Sequence, residues 1–442
     1  MMNRTFVNSL LLTAALLGAG PEAFAKTLLF KNGVVHTVSG EDIANGQVLV
    51  TDGKITRIAK SDESLSADET IDLQGGHLYP GLINASGTLG LVEINMVRAT
   101  RDMAESGEFI PEVQAWVAVN PDSELLPAAR ANGVTHSIAV PEGGIVSGQS
   151  GLIQLGGGWT TEDLKAKGPA AMHLFWPSMT LDTTPKDQAR DKDKVKSLED
   201  QAKERRFQIK EIEDFFSEAE AYAAGSRPET KRIPAWEALI PVVRGEVPLV
   251  IHADSFRQIK AALKFASERK YRVIISGGRD AAKLAKELAA QKIPVIFERV
   301  FNDGNGLSAG EIRDTEPYDA HFNTPATLAA AGVKVAISGG VGGEEASNVR
   351  NLPFVAAQAM AYGLPRAEAL KSITLNVAEI YGVNDRLGSI EPGKEATLFI
   401  ASGDILDIRS QVRGVWIKGS SVEVENRQTR LFDKYRSRPN SN

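Results

Sequence analysis

The sequence predicts an α/β fold: repeated β–α units joined to a smaller β-rich piece that both ends of the chain build together. Three observations carry this reading. PLVIHA (248–253), RVIISG (272–277), PVIFER (294–299) and VKVAIS (333–338) are short, nearly continuous apolar runs, the pattern of parallel strands buried on both faces. Helix start and stop signals lie in the intervals between them. Finally, β-branched runs broken by turn dipeptides occupy both ends of the chain beyond its first residues, and chain termini often lie close together. Repeated units over about 300 residues fit an eight-stranded (β/α) barrel in size. A doubly wound open sheet fits the same local pattern, and periodicity does not separate the two.

Taken in order, residues 1–25 read as a cleavable export signal. Arg4 supplies a positive start, Val7 to Leu17 an apolar core, and Ala23-Phe24-Ala25 a small-x-small cleavage site. The apolar run is short for a transmembrane span, which favours cleavage over an uncleaved anchor. Residues 26–79 are strand-like: LLFKNGVVHTV and QVLVTDGKITRIA carry Asn32-Gly33 and Asp52-Gly53, dipeptides suited to hairpin turns with positive φ. Residues 80–385 hold the β–α units. There, Asp254 or Ser255 is expected to cap the helix containing IKAALKFASE, and Asp280 the one containing AAKLAKELAA. Thr324-Pro325 starts another helix that stops at Gly332, matching the Pro-first, Gly-last asymmetry. Residues 186–225 interrupt the rhythm with charges of both signs at helical spacing, marking a long solvated helix. Leu198, Ile209, Ile212 and Phe216 give it one apolar edge; a surface insertion packed on the barrel is the preferred reading, a lid or partner-docking helix the other. Residues 386–442 return to β texture, with a turn at Lys418-Gly419-Ser420.

Composition excludes several classes. The 442 residues are 43% hydrophobic and 24% charged, with a formal net charge of -6. That is ordinary globular composition with no basic patch for nucleic acid. Charges of both signs are mixed throughout, so nothing argues for a membrane surface after signal cleavage. There is no cysteine, hence neither disulfides nor lipid attachment at the cleavage site. A soluble periplasmic or secreted bacterial protein is expected.

In a barrel, chemistry sits at the carboxyl ends of the strands. YPGLINASGTLGLV (79–92) contains Pro80-Gly81-Leu82-Ile83-Asn84-Ala85-Ser86-Gly87-Thr88-Leu89. This resembles the Pro-Gly-(Leu/Phe)-Ile-Asp-x-His-x-His motif of the metal-dependent amidohydrolase superfamily. ALKSITLNVAEIYGVNDRLGSIEPGKEATLFIASGDILD (369–407) is similar to that family's closing pattern. ANGVTHSIAVPEGGIVSGQSGLI and AAAGVKVAISGG look like internal segments of its imidazolonepropionase-like members. The resemblance covers nearly the whole chain after residue 25. It implies a (β/α)8 TIM-like barrel with a small β-sandwich from the N- and C-terminal segments, which breaks the tie with the open sheet. It also implies hydrolysis of carbon–nitrogen bonds by a metal-bound hydroxide, zinc being the usual cofactor.

The ligands that the resemblance implies are His-x-His on the first strand, a lysine or glutamate on the fourth, histidines on the fifth and sixth, and an aspartate on the eighth. Position by position, this chain offers Ser86 and Thr88, then His173, then His252, then Ser276 with Gly277 and Gly278, and last Ser338 with Gly339 and Gly340. Neutral hydroxyls are poor zinc ligands and catalytic zinc takes three protein ligands, so no metal-binding residues are assigned. His252 and Asp254, two apart on a strand, are the candidate acid–base pair, although Asp254 is equally explained as a helix cap. Glu298 with Arg299 reads as a mouth carboxylate and its cation, or as a loop ion pair. His321, just ahead of a helix, can approach the mouth or lie on the surface. Ser147 and Gln149, in the glycine-rich PEGGIVSGQSG, are candidate substrate donors. Glu344 and Glu345 follow SGGVGG, as acidic substitutes for the missing aspartate or as solvated residues. Neither glycine-rich loop has a phosphate-loop or dinucleotide fingerprint. Two functions follow: an amide hydrolase built around His252, or a barrel that has lost its metal and binds a small amide-type ligand or a partner chain. Homo- or hetero-oligomers are compatible with both.

Overall fold

The computed structural model describes residues 26–189, 191–225, 232–298 and 320–438. Among the described residues, sixteen strands form two sheets: β1 (Thr27–Val35), β2 (Ile43–Thr51), β3 (Lys54–Ala59), β4 (Glu69–Asp72), β5 (His77–Pro80), β6 (Leu82–Gly87), β7 (Val134–Ala139), β8 (Val146–Gln154), β9 (Lys165–Phe175), β10 (Leu249–Ala253), β11 (Val273–Gly277), β12 (Val295–Glu298), β13 (Val335–Ser338), β14 (Leu398–Ala401), β15 (Val412–Ile417) and β16 (Ser420–Val422).

The terminal segments share one sheet, ordered β16-β15-β14-β5-β1-β2-β3, with β4 also on β1. Phe30 of β1 meets Trp416 of β15 edge to face at 5.0 Å. Those strands are not neighbours, so the sheet curls over its own core of Phe30, Val48, Ile55, Leu78 and Leu398 in the manner of a sandwich. Asp52-Gly53 and Lys418-Gly419 are left-handed hairpin turns, as expected. Asn32-Gly33 is not. It forms a bulge inside β1, where the partner changes from β4 to β5. A Cβ on Gly33 would lie 2.3 Å from the Gly76 carbonyl oxygen, so the close crossing at the bulge requires glycine there.

The second sheet runs β6 through β13 in chain order, and β13 lies back against β6 to close the barrel. It is not uniformly parallel: β8 is antiparallel to both β7 and β9. The reason is connection length. Only residues 140–145 join β7 to β8, and a parallel return needs a crossover of about a dozen residues or more. Alternation then sorts the side chains. Val250, Ile274, Ile296 and Ala336 fill the barrel interior with Ile83, Ala85 and Ile138. Leu249, Ile251, Val273, Val295 and Val335 face the helices.

The charged segment forms the Leu198–Ala224 helix, lying between β9 and β10 and packed on the Pro234–Val243 and Phe256–Arg269 helices. Ile212 and Phe216 are fully buried and Ile209 partly so, each full burial contributing about 1.5–3 kcal/mol. Leu198, expected on the same edge, is 49% exposed, because it is the first residue of the helix and extends beyond the surface it packs on. Ser255, rather than Asp254, caps the Phe256–Arg269 helix, through a reciprocal capping box with Gln258. Asp280 makes no cap bond to its own short helical turn; its carboxylate instead accepts from the Phe256 N–H at 2.9 Å and binds Lys283. The Thr324–Ala330 helix has Pro325 in its first turn and Gly332 just past its end in the left-handed region, as expected.

Candidate functional site

The interior layer just above Val250, Ile274, Ile296 and Ala336 is polar, since each strand places its next inward residue two positions on. This layer holds His252, Ser276, Glu298 and Ser338, with His173 and Phe175 from β9. His173, Ser276 and Ser338 are essentially inaccessible and His252 is 9% exposed.

His173 Nδ1 lies 2.9 Å from His252 Nε2, and Phe175 stacks on the His252 ring at 4.0 Å and 3°. Burial, then His252, holds the His173 ring well below its ordinary pKa, so it is neutral. Its Nε2 is buried without a hydrogen-bond partner. A bare acceptor there costs less than an orphaned N–H, which places the proton on His173 Nδ1, donating to His252 Nε2. His252 then carries its own proton on Nδ1.

The hydroxyls are similarly committed. Ser276 Oγ donates to Glu298 Oε1 at 2.6 Å. Ser338 Oγ sits 3.0 Å from Asn84 Oδ1 and beside the Ser86 carbonyl, and accepts from the Gly340 N–H at 3.1 Å. Asn84 Nδ2 donates to the Ser86 carbonyl and Ser137 Oγ at 2.9 and 3.0 Å. Thr88 Oγ1 donates to the Gly342 carbonyl at 2.7 Å. Ser86 Oγ alone is buried with no partner. Across β6 and β13, the hydroxyls thus tie together strand ends that are 254 residues apart.

The other candidates fall elsewhere. Asp254 is exposed and its Oδ1 lies 3.5 Å from the Arg279 N–H. The ring partner of His252 is instead His173, which the spacing argument did not foresee. Ser147 Oγ donates to the Pro141 carbonyl at 2.9 Å and Gln149 Nε2 to Pro111 at 3.0 Å. Both side chains are buried and brace the loops around β8. His321 packs on Phe322 at 4.1 Å, and Phe322 on Tyr362. Glu344 is exposed, and Glu345 accepts from Asn348 Nδ2 at 3.1 Å. Arg299 lies outside the described residues.

The donor set does not suit a pair of zinc ions. Ser86, Thr88, Ser276 and Ser338 stand where imidazole or carboxylate ligands are needed, and three of those hydroxyls are already hydrogen-bonded. Either histidine nitrogen in the His173–His252 contact would have to give up that bond to ligate. Among the described residues, no group of three or more His, Cys, Asp or Glu side chains is arranged to hold a metal ion.

Residues 319–422 match the amidohydrolase family. The chain is 23% identical to the amidohydrolase tasK of Hapsidospora irregularis across 91% of its own length, and spans 43% of that relative. A shorter stretch, 14% of this chain and 15% of the relative, is 39% identical to the 5'-deoxyadenosine deaminase of Methanococcoides burtonii. Among solved structures, an amidohydrolase from Thermotoga maritima MSB8 superposes with a TM-score of 0.73 at 28% identity, covering 90% of this chain and 99% of that one. A zinc-bound adenosine deaminase from Xanthomonas campestris shares the fold, with a TM-score of 0.53 at 17% identity over 92% and 97% of the two chains. The barrel, the sheet built from both termini and the polar layer at the strand ends thus give the chain the fold of the amidohydrolases that it resembles.

Proposed function

We propose that the barrel mouth is a metal-free binding pocket for a small amide-type ligand, on a scaffold inherited from carbon–nitrogen hydrolases. The observation that carries this is the fate of the four hydroxyl residues. Ser86, Thr88, Ser276 and Ser338 replace ligand types that zinc requires, and Ser276, Ser338 and Thr88 spend their hydroxyls on internal bonds. His252 offers no free Nε2, because that nitrogen is hydrogen-bonded to His173 Nδ1. Such a site keeps an acceptor in the Glu298 carboxylate and a donor in the unpartnered Ser86 hydroxyl, a combination that recognises a neutral amide through hydrogen bonds at both its nitrogen and its oxygen. Descent alone does not decide activity, since function resides in the site rather than the scaffold. Export rests on residues 1–25, which lie outside the described residues; none of the described helices is long and apolar enough to cross a membrane.

The test is metal analysis of the purified full chain, with a panel of amides, lactams and dipeptides assayed with and without added zinc. Binding of a panel member without turnover, and without stoichiometric metal, is the expected result. Stoichiometric zinc, or turnover abolished by His252→Ala, would establish the hydrolase reading instead.

A further inference from the structure

At the opposite end of the barrel, where β11, β12 and β13 begin, lies a cavity of about 560 Å³, within the range of small-molecule sites. Three successive β–α units build it in the same way. After each helix the chain passes through a left-handed residue, Lys270, Lys292 and Gly332 in turn, and both that residue and the one two positions on line the cavity. These pairs are Lys270 with Arg272, Lys292 with Pro294, and Gly332 with Lys334. Every unit therefore contributes at least one cation. Glu379 is the one acid in the lining; it pairs with Lys334 at 2.5 Å. Arg272 is held in place by a 2.9 Å bond to the Ile380 carbonyl, which leaves its charge uncompensated. Neither Lys270 nor Lys292 has an ion-pair partner among the described residues.

Two features single this cavity out. A chain whose formal net charge is -6 gathers four cations against one acid here. In addition, two of the three left-handed positions are lysine although glycine, as at Gly332, fits that backbone without strain. A helix C-terminus favours a nearby cation through its dipole, which accounts for Lys270 and Lys292 in part. It does not account for Arg272 and Lys334, which stand at strand starts.

We propose that this cavity binds a small multivalent oxyanion bearing phosphate or carboxylate groups. The proposal is independent of the mouth. The lysines are also convenient to remove, because Lys270→Gly and Lys292→Gly relieve a left-handed residue while deleting its charge. The experiment is calorimetric titration and thermal unfolding of the full chain with pyrophosphate, citrate and polyglutamate, each against sodium chloride of matched ionic strength. Pyrophosphate or citrate is expected to bind and raise the unfolding temperature. The stronger of the two identifies the group recognised. The double glycine variant, at least as stable without ligand, should bind about tenfold more weakly or worse, as loss of two charges in contact with an anion requires. Arg272→Gln is expected to weaken binding as well. Absence of binding by both small anions, binding unchanged in the double variant, or a response to polyglutamate alone would overturn the proposal, the last in favour of an acidic partner chain.

Discussion

Two histidine pairs in this molecule share nearly the same contact and differ in everything around it. At the mouth, His173 and His252 meet at 2.9 Å, with Phe175 stacked on His252 and the pair enclosed by the barrel. At the junction of the sheet with the barrel, His36 Nε2 and His77 Nδ1 meet at 2.8 Å. There His36 Nδ1 also reaches Asp42 Oδ2 at 2.7 Å, Tyr79 stacks on His36 at 4.1 Å, and Arg366 binds Asp404 at 2.8 Å. Burial depresses His36, His77 and His173. At the junction, however, Asp42 pulls His36 back up, and both Asp404 and Asp42 raise His77, whereas at the mouth His252 depresses His173 further. His36, His77 and His173 all lie below the ordinary histidine value, and at the junction the carboxylates offset part of that depression.

Acid separates the two most strongly. A histidine whose folded pKa is depressed binds fewer protons than in the unfolded chain, so its stability contribution is complete above about pH 6.5 and is lost as pH falls toward the folded value. His136, which is fully buried and belongs to neither pair, is depressed by burial to about 3, and on this basis costs roughly 4 kcal/mol by pH 3. Equilibrium unfolding followed from pH 8 to 4 should therefore show falling stability below about pH 6.5. Ring resonances should show His77 taking up a proton at higher pH than His173, and the reverse order would break the comparison.

Tyr79→Ala comes next. It removes a fully buried ring that stacks on both His36 and Phe399, at an expected cost of about 3–5 kcal/mol in urea unfolding. Phe175→Ala, at the half-buried mouth stack, should cost distinctly less. Ser338→Ala tests whether the mouth hydroxyls are structural: it strips the link between β13 and β6, with an expected loss of about 1–3 kcal/mol. The smallest effect belongs to the exposed Lys210–Asp214 pair on the Leu198–Ala224 helix, where Lys210→Ala should leave the urea unfolding midpoint essentially unchanged.

Much of this was legible in the residues. The apolar runs announced β10 to β13, Asp52-Gly53 and Lys418-Gly419 announced their turns, and the hydroxyls at positions 86, 88, 276 and 338 were visible as departures from a metal-ligand pattern. These are local signals, set by side-chain period and backbone sterics within a few residues. One miss was readable too: residues 140–145 are too few for a parallel crossover, which gives away the antiparallel β8. Asn32-Gly33 was misread because positive φ suits a bulge as well as a hairpin, and only the change of partner strand from β4 to β5 distinguishes them. The remaining decisions belong to tertiary structure alone. His173 finds His252 79 residues away, Ser338 finds Asn84 across the closing seam of the barrel, and three helix ends converge on one cavity. Such contacts depend on barrel closure and register, which no local pattern encodes. The residue types were written in the sequence; which of them share a proton was decided by the fold.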